Sequence, residues 1–312
     1  MTNLETRFTS GDERALARGI SLLEAGDTGS KAGQALLKAV RARGGGAHIV
    51  GVTGSPGSGK STLTDALIAE ARAAKKTVAV LAIDPTSPYS GGAILGDRVR
   101  MMRHHHDESV FIRSMATRGH LGGLAAATLQ VTALLDAYGF DLILLETVGV
   151  GQSEIDVVRV ADTTLLLLTP GQGDGVQAFK AGIMEIADVF VINKADRPGS
   201  GRLRREVKAA FELAPHDQTK WSPPILETVA STGQGVPDLL ETLGTHRSYL
   251  KESGDLEDLR QQRVRFEVSA LLADQVRRRL AELDPGLLRA VLSGERSAAE
   301  VAAGLLEGPV RA

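Results

Sequence analysis

The sequence predicts an α/β fold: a doubly wound, mainly parallel sheet carrying a phosphate-binding loop, preceded by helices and followed by a helical arm. Three observations carry this expectation. Six apolar runs of strand length lie at His48–Thr53, Thr77–Ile83, Leu142–Leu145, Thr164–Thr169, Val189–Ile192 and Ile225–Val229, apolar on both faces. Strands read that way when helices cover both sides of a sheet. Helix-like segments separate most of the runs, the alternation that produces parallel pairing. Finally, the first run leads directly into Gly54-Ser55-Pro56-Gly57-Ser58-Gly59-Lys60-Ser61, a G-x-x-x-x-G-K-S loop between a strand and a helix, the context that motif requires.

The elements follow in chain order. Ser10 and Glu13 form an S-x-x-E capping box, the start signal of a helix. Leu16, Ile20 and Leu23 continue it at helical spacing toward Gly26. A second helix is expected over Lys31–Arg43, running into Gly44-Gly45-Gly46. That triplet is the first joint, so residues 1–46 read as an N-terminal helical segment and 47–244 as the α/β domain. Past Gly244 the strand signals stop. Val268, Leu272, Val276, Leu280 and Leu283 recur at steps of three or four, giving a helix over Arg265–Leu283 that Pro285-Gly286 ends. A last helix over Ser297–Leu306 completes an arm at 245–312. The Arg277-Arg278-Arg279 run reads as a solvated helix face.

Composition removes several function classes. With 312 residues, about two units are expected. The chain has no cysteine, which excludes disulfides, thiolate catalysis and cysteine-ligated zinc. Lys+Arg 36 against Asp+Glu 38 leaves a net charge of −2, without the basic excess that nucleic-acid partners select. The start, MTNLETRFTSGDERAL, lacks the apolar stretch of a signal peptide. No apolar run approaches the ~20 residues that span a bilayer. A soluble cytoplasmic protein with neither a nucleic-acid nor a membrane partner is expected.

The phosphate loop is the strongest chemical signal. Its glycines let backbone N–H groups curl around phosphate oxygens, and the following helix N-terminus adds a favourable dipole. Lys60 is placed for the β- and γ-phosphates, Ser61 for Mg²⁺, with Thr62 beside it in the first helical turn. Asn193-Lys194-Ala195-Asp196 stands at the end of a later strand, beginning 133 residues beyond Lys60. Asp196 can accept from guanine N1–H and N2–H₂, donors adenine lacks at that edge. Lys194 can lie over the base and Asn193 can tie its loop to the phosphate loop. Taken alone, N-K-x-D could be a solvated turn; its place after a strand of this sheet makes it a guanine reader.

Between these motifs lie metal and switch candidates. Glu146-Thr147-Val148-Gly149 ends one strand, offering a carboxylate for Mg²⁺ and an N–H at Gly149 for the γ-phosphate. Asp84 ends another strand at the same sheet edge, and Asp97 lies in the Gly-rich GGAILGDRVRM. Each acid could equally cap a helix or sit in a solvated loop. Val150 follows Gly149 where small GTPases place the glutamine that orients water. Slow unassisted hydrolysis, or a catalytic group from elsewhere, is therefore expected; Gln152 is near in sequence. His104-His105-His106 reads as a surface loop or helix end, since adjacent histidines point different ways. Trp221, beside Pro223-Pro224, reads as a packed loop anchor.

The set GVTGSPGSGKST, IDPTSPYSGGAILGDRVRM, FIRSMATRGHLGGLA, ETVGVGQSE, TPGQGDGVQAFKAGIMEIAD and NKAD closely resembles the methylmalonyl-CoA mutase-associated GTPases (MeaB), including sequences once described as arginine/ornithine transport ATPases (ArgK). The resemblance runs over nearly the whole chain. It implies a GTP-hydrolysing chaperone that gates cofactor delivery to an adenosylcobalamin-dependent acyl-CoA mutase and protects that enzyme from inactivation. It also implies GTP/GDP as ligand and Mg²⁺ as cofactor. By motif, Lys60 and Ser61 bind phosphate and Mg²⁺; Asp84, Asp97 and Glu146 join the Mg²⁺ and switch system. Asp174, Gln177 and Lys180 match a third switch that communicates with the mutase, and the C-terminal helices match an arm used for homodimer formation. The Ser-Ala pair that supports guanine is Val229-Ala230-Ser231 here, so base contact from that loop rests on backbone near Ala230. Nickel-delivery GTPases and a kinase or transport ATPase are the competing readings. The missing cysteines stand against the first and NKAD against the second.

Overall fold

The computed structural model describes residues 4–84, 101–116, 121–147, 159–171, 186–213 and 220–307. Its centre is a seven-stranded sheet: β1 His48–Gly54, β2 Val78–Asp84, β3 Val110–Ala116, β4 Leu142–Thr147, β5 Thr163–Leu168, β6 Val189–Asn193 and β7 Ile225–Thr228, in the order β3-β2-β4-β1-β5-β6-β7. All pairings are parallel. The predicted α/β class is thus realised as a wholly parallel sheet with flanking helices. β1 lies between β4 and β5, so the chain crosses away from it on both sides. The strand order reverses there, and ligands bind outside the carboxyl ends of strands at such a point.

The alternation of side chains explains why both faces are covered. Ile49, Leu81, Ile143 and Leu145 enter one core with Leu16 and Ile20 of α2 (Glu13–Glu24), Leu36 and Val40 of α3 (Lys31–Arg43) and Leu134 of α5 (Leu121–Tyr138). Val50, Val52, Val80, Leu144 and Leu165 enter the other. There they meet Leu63 and Leu67 of α4 (Lys60–Ala73) and Leu239 and Leu243 of α7 (Val236–Ser253). A smaller cluster joins Leu166, Phe190 and Ile192 to Leu203 and Val207 of α6 (Ser200–Leu213). The short α1 (Leu4–Thr9) contributes Phe8 to the first core.

Aspartates clasp the amino-terminal side of the sheet. Asp141 accepts from Thr77 N at 2.8 Å, Asp162 from Ile49 N at 2.8 Å and Asp188 from Thr164 N at 2.7 Å. Each lies just before a strand and satisfies a backbone donor at the start of its neighbour, or beside it, fixing register where the ladder begins.

Several local expectations change. The cap of α2 is Asp12, whose carboxylate accepts from Arg14 N and Ala15 N; the Ser10 hydroxyl instead donates to Arg7 O. Asp12 lies two residues nearer the helix than Ser10 and offers two acceptors. α3 occupies the predicted span, capped by Ser30 and ended by Gly44 at φ 62°. β3 was not among the predicted strands, because it lies at the sheet edge and its Val110–Arg113 stretch is only partly buried. Gly244 lies inside α7, which runs on to the left-handed Gly254, φ 87°. From there α8 (Asp255–Ala281) starts ten residues before the predicted Arg265. Pro285-Gly286 ends nothing: Pro285 opens α9 (Pro285–Leu292), where its missing N–H costs nothing. α10 (Ala298–Glu307) is the last helix among the described residues.

The arm packs back on the domain. Ala270 of α8 meets Ala126 of α5, Glu267 pairs with Arg41 of α3, and Arg263 pairs with buried Asp162. The Arg159 guanidinium lies 5.1 Å from the Phe266 ring centre, a cation–π distance.

Candidate functional site

The loop after β1 is shaped by backbone conformations that glycine adopts freely. Gly54, Gly57 and Gly59 have φ of 143°, 80° and 93°. A Cβ at Gly54 would collide with Leu167 O of β5, and one at Gly59 with the Asn193 amide. Gly59 caps α4 without a side chain, so the helix N-terminus opens toward the loop it would present to phosphate. Ser55 Oγ and Ser58 Oγ are buried and have no hydrogen-bond partner among the described residues.

The Lys60 ammonium, buried, donates to Gly54 O at 2.5 Å and Ser55 O at 3.1 Å. It bridges the loop it would leave when phosphate oxygens compete for its protons. Ser61 Oγ donates to Glu146 Oε1 at 2.5 Å, with Glu146 itself buried. β4 lies beside β1, which places the acid that ends one strand against the first helical turn after the other. A hydroxyl and a carboxylate are hard oxygen donors, and Mg²⁺ takes one or two protein oxygens, completing its shell with phosphate and water. The pair fits that ion. Among the described residues no group of three or more His, Asp or Glu side chains is arranged around a common point.

The guanine loop is joined to the phosphate loop. Asn193 Nδ2 donates to Ser58 O at 2.9 Å, while its Oδ1 accepts from Thr228 Oγ1 and Ala230 N, both at 3.2 Å. Lys194, at the left-handed φ of 56°, sends its ammonium to Gly57 O at 2.6 Å. Ala195 N donates to Thr228 O at 3.1 Å, so the turns after β6 and β7 run side by side. Asp196 is exposed beyond them. The Ala230 N–H, expected to face a base, is spent on Asn193 here. Thr228 escaped the sequence reading; its position at the end of β7, two residues before Ala230, was the available signal.

The structure therefore brings Gly54–Ser61 and Thr62, Glu146, Asn193, Lys194 and Ala230 to one edge of the sheet. Asp84 ends β2 at that edge. Asp97, Gly149, Gln152, Asp174, Gln177 and Lys180 lie outside the described residues. The histidine run divides: His104 ends a 3₁₀ turn and is buried against Asp65 of α4, while His105 and His106 are exposed. His104 thus takes the helix-end alternative, its ring received by a carboxylate on α4, and His105 and His106 lie at the surface as expected. Trp221 is an anchor as expected, donating from Nε1 to Asp188 O at 2.8 Å and packing on His246 with ring centres 4.6 Å apart.

The sequence profile described as methylmalonyl Co-A mutase-associated GTPase MeaB matches residues 16–284. The chain belongs to the MeaB family. That family is a GTPase family, so guanine-nucleotide binding is its common property. Relatives include a candidate GTPase of Pyrococcus horikoshii, 51% identical over 88% of this chain and 86% of that one. The methylmalonic aciduria type A homolog, mitochondrial, of Mus musculus is 34% identical over 97% and 78%. A crystal structure of a LAO/AO transport system kinase superposes with a TM-score of 0.71 at 26% identity, covering 97% of this chain and 95% of that one. No helix among the described residues is long and apolar enough to cross a membrane.

Proposed function

We propose that this protein hydrolyses GTP to GDP and phosphate, and that it serves an adenosylcobalamin-dependent acyl-CoA mutase as a chaperone, gating cofactor loading and guarding the enzyme from inactivation. The observation that carries the GTP reading is the Asn193 link between the guanine loop and the phosphate loop. The mutase reading rests on membership of the MeaB family.

The loop N–H groups and Lys60 hold the phosphates, and Asp196 reads N1–H and N2–H₂ of guanine. Ser61 and Glu146, joined by Asp84 and Asp97, would hold Mg²⁺, which when bound neutralises charge on phosphate oxygens. In-line attack by water then depends on orientation rather than on covalent chemistry by the protein. With Val150 where a water-orienting glutamine stands in small GTPases, basal turnover is slow until a partner completes the site. Gly149, Gln152, Asp174, Gln177 and Lys180 form the responsive segments, ordered with GTP and released on hydrolysis. Binding linkage makes the coupling reciprocal, so a mutase that changes nucleotide affinity has its own affinity changed by the same factor.

A cytoplasmic homodimer formed through the arm completes the reading. Its support is the row of half-exposed apolar side chains Val264, Val268, Leu272 and Leu280 on α8, continued by Leu288 and Leu292 on α9. The deciding experiment is GTP hydrolysis by the purified protein, alone and with candidate cobalamin-dependent mutases. A slow rate that rises with a mutase supports both parts. A rate indifferent to every mutase removes the chaperone part, and equal use of ATP removes the guanine part.

A further inference from the structure

Helices α5 and α8 touch where Ala126 meets Ala270, and further along they enclose a cavity of about 200 Å³. On α5 its lining is Leu129, Thr132, Ala133 and Asp136; on α8 it is Arg260, Arg263, Val264 and Glu267. Each set has the spacing i, i+3, i+4, i+7, one stripe of a helix. Arg41 of α3 and Ile49 of β1 help to close the space. Ile49 lies at the amino end of β1 and the phosphate loop follows the carboxyl end, so this cavity is separate from the nucleotide site.

The cavity has more donors than acceptors to receive them. Glu267 is engaged by Arg41, Asp136 accepts from Ala47 N at 2.7 Å, and Asp162 takes one arm of Arg263. Three donor groups remain. Arg263 Nε and Thr132 Oγ1 are buried and have no hydrogen-bond partner among the described residues. Arg260 pairs with no carboxylate among those residues, and its contact from Nη2 to Gly45 O is long, at 3.5 Å. A buried donor without a partner is costly, and a bound acceptor is one way to satisfy it. Burial pushes the Asp136 carboxyl upward, a direction that suits a neighbouring anion.

The walls between these donors are aliphatic, from Val40, Leu129, Ala133 and Val160. A guanidinium matches a planar carboxylate, and such walls suit a short hydrocarbon tail. At ~30 Å³ for each water-sized group, the volume holds about six or seven non-hydrogen atoms.

We propose that this cavity binds a small monocarboxylate with a short aliphatic tail, its carboxylate received by Arg260, the Arg263 Nε–H and the Thr132 hydroxyl. Such a ligand ties the arm to the domain, since both arginines belong to α8 and the threonine to α5. The assignment does not depend on the GTP reading.

The test is an NMR titration of the full-length ¹⁵N-labelled protein with butyrate, in a buffer free of other carboxylates. Butyramide, the neutral isostere, and inorganic phosphate serve as comparisons. Saturable shifts of arginine Nε–H signals, that of Arg263 among them, are expected with a dissociation constant on the order of 1 mM, the range open to six non-hydrogen atoms. Butyramide lacks the charge and phosphate lacks the tail, so each should bind at least about tenfold more weakly. Arg260→Gln should weaken butyrate about tenfold, and Ala133→Leu, which fills the cavity, should abolish its binding. Both variants should keep the wild-type spectrum elsewhere. Equal binding of butyrate and butyramide overturns the proposal, as does phosphate that binds as well as butyrate. So does an unchanged butyrate affinity in Arg260→Gln, or no saturable shift by ~50 mM butyrate. Should Ala133→Leu fail to fold, Arg260→Gln decides alone, because Arg260 is exposed and unpaired among the described residues.

Discussion

Asn193 and Ser58 stand 135 residues apart in the chain, and the Asn193 amide donates to the Ser58 carbonyl at 2.9 Å. The bond joins the loop that reads the base to the loop that holds phosphate, and the other end of the same amide takes Thr228 Oγ1 and Ala230 N. One buried side chain thus fixes three loop backbones relative to one another.

Asn193→Ala removes all three bonds and leaves buried groups unsatisfied, at ~1–3 kcal/mol each where water cannot enter. We expect a loss of roughly 3 kcal/mol in nucleotide-free urea unfolding, together with GDP binding weakened at least about tenfold. An unchanged midpoint with unchanged affinity would show that the loops are held by other contacts.

Asp196 is exposed and stands just outside this buckle, so its substitution tests recognition apart from folding. Asp196→Asn replaces a double acceptor by an amide that can donate to the O2 of xanthine. GTP affinity should fall by roughly 10–100-fold while XTP gains, since a buried polar contact left unpaired costs a few kcal/mol. Stability should stay within about 0.5 kcal/mol, as for most surface changes. A GTP/XTP ratio equal to wild type assigns base reading to another residue.

Much of this was legible in the sequence because the signals were local. The glycines of the phosphate loop are required by φ values that side chains resist, and strands apolar on both faces announce a covered sheet. β3 was hidden because Arg113 and Ser114 interrupt its apolar run between Ile112 and Met115, and Arg113 is there to reach Glu24 of α2 at 2.6 Å. The burial of His104 was not legible because its partner, Asp65, is distant in sequence and nothing in a histidine triplet marks which ring is received. Asp162 was invisible for the same reason: it acts through Ile49 and Arg263, on another strand and helix, and spacing within one segment carries no trace of it.

Arg263 and Asp162 form a largely buried ion pair between α8 and the start of β5, and Asp162 also holds Ile49 N. Removing one member of such a pair strands the other charge, so Arg263→Ala should cost about 3–5 kcal/mol. Hydrogen exchange in α8 should rise first, because Arg263, Phe266 and Ala270 are its fastenings to the domain. A change below about 1 kcal/mol would mean that water reaches Asp162 and solvates it.

Acid should loosen the opposite side of the sheet from the nucleotide site. His48 Nε2 and His246 Nδ1 each lie 2.7 Å from Thr163 Oγ1, and both rings are buried. The hydroxyl has one proton, so it accepts from one ring and donates to the other; two imidazolium rings would both have to donate and leave that proton without an acceptor. Burial pushes His48 down to about 3 and His246 down to about 4 from the ordinary 6.5. Between those values and 6.5 the unfolded chain binds more protons than the folded one, so stability is full above pH 6.5 and falls as pH drops toward 4. From pH 7.5 to 5 the loss is on the order of 2 kcal/mol for each histidine. Urea midpoints at the two pH values measure the net change, in which Asp188, pushed up to about 7 by burial, takes up a proton in the folded chain and opposes the loss. His246→Gln, which cannot be protonated, should remove about half of the histidine contribution. A pH dependence that is the same in wild type and His246→Gln would place His246 in contact with water.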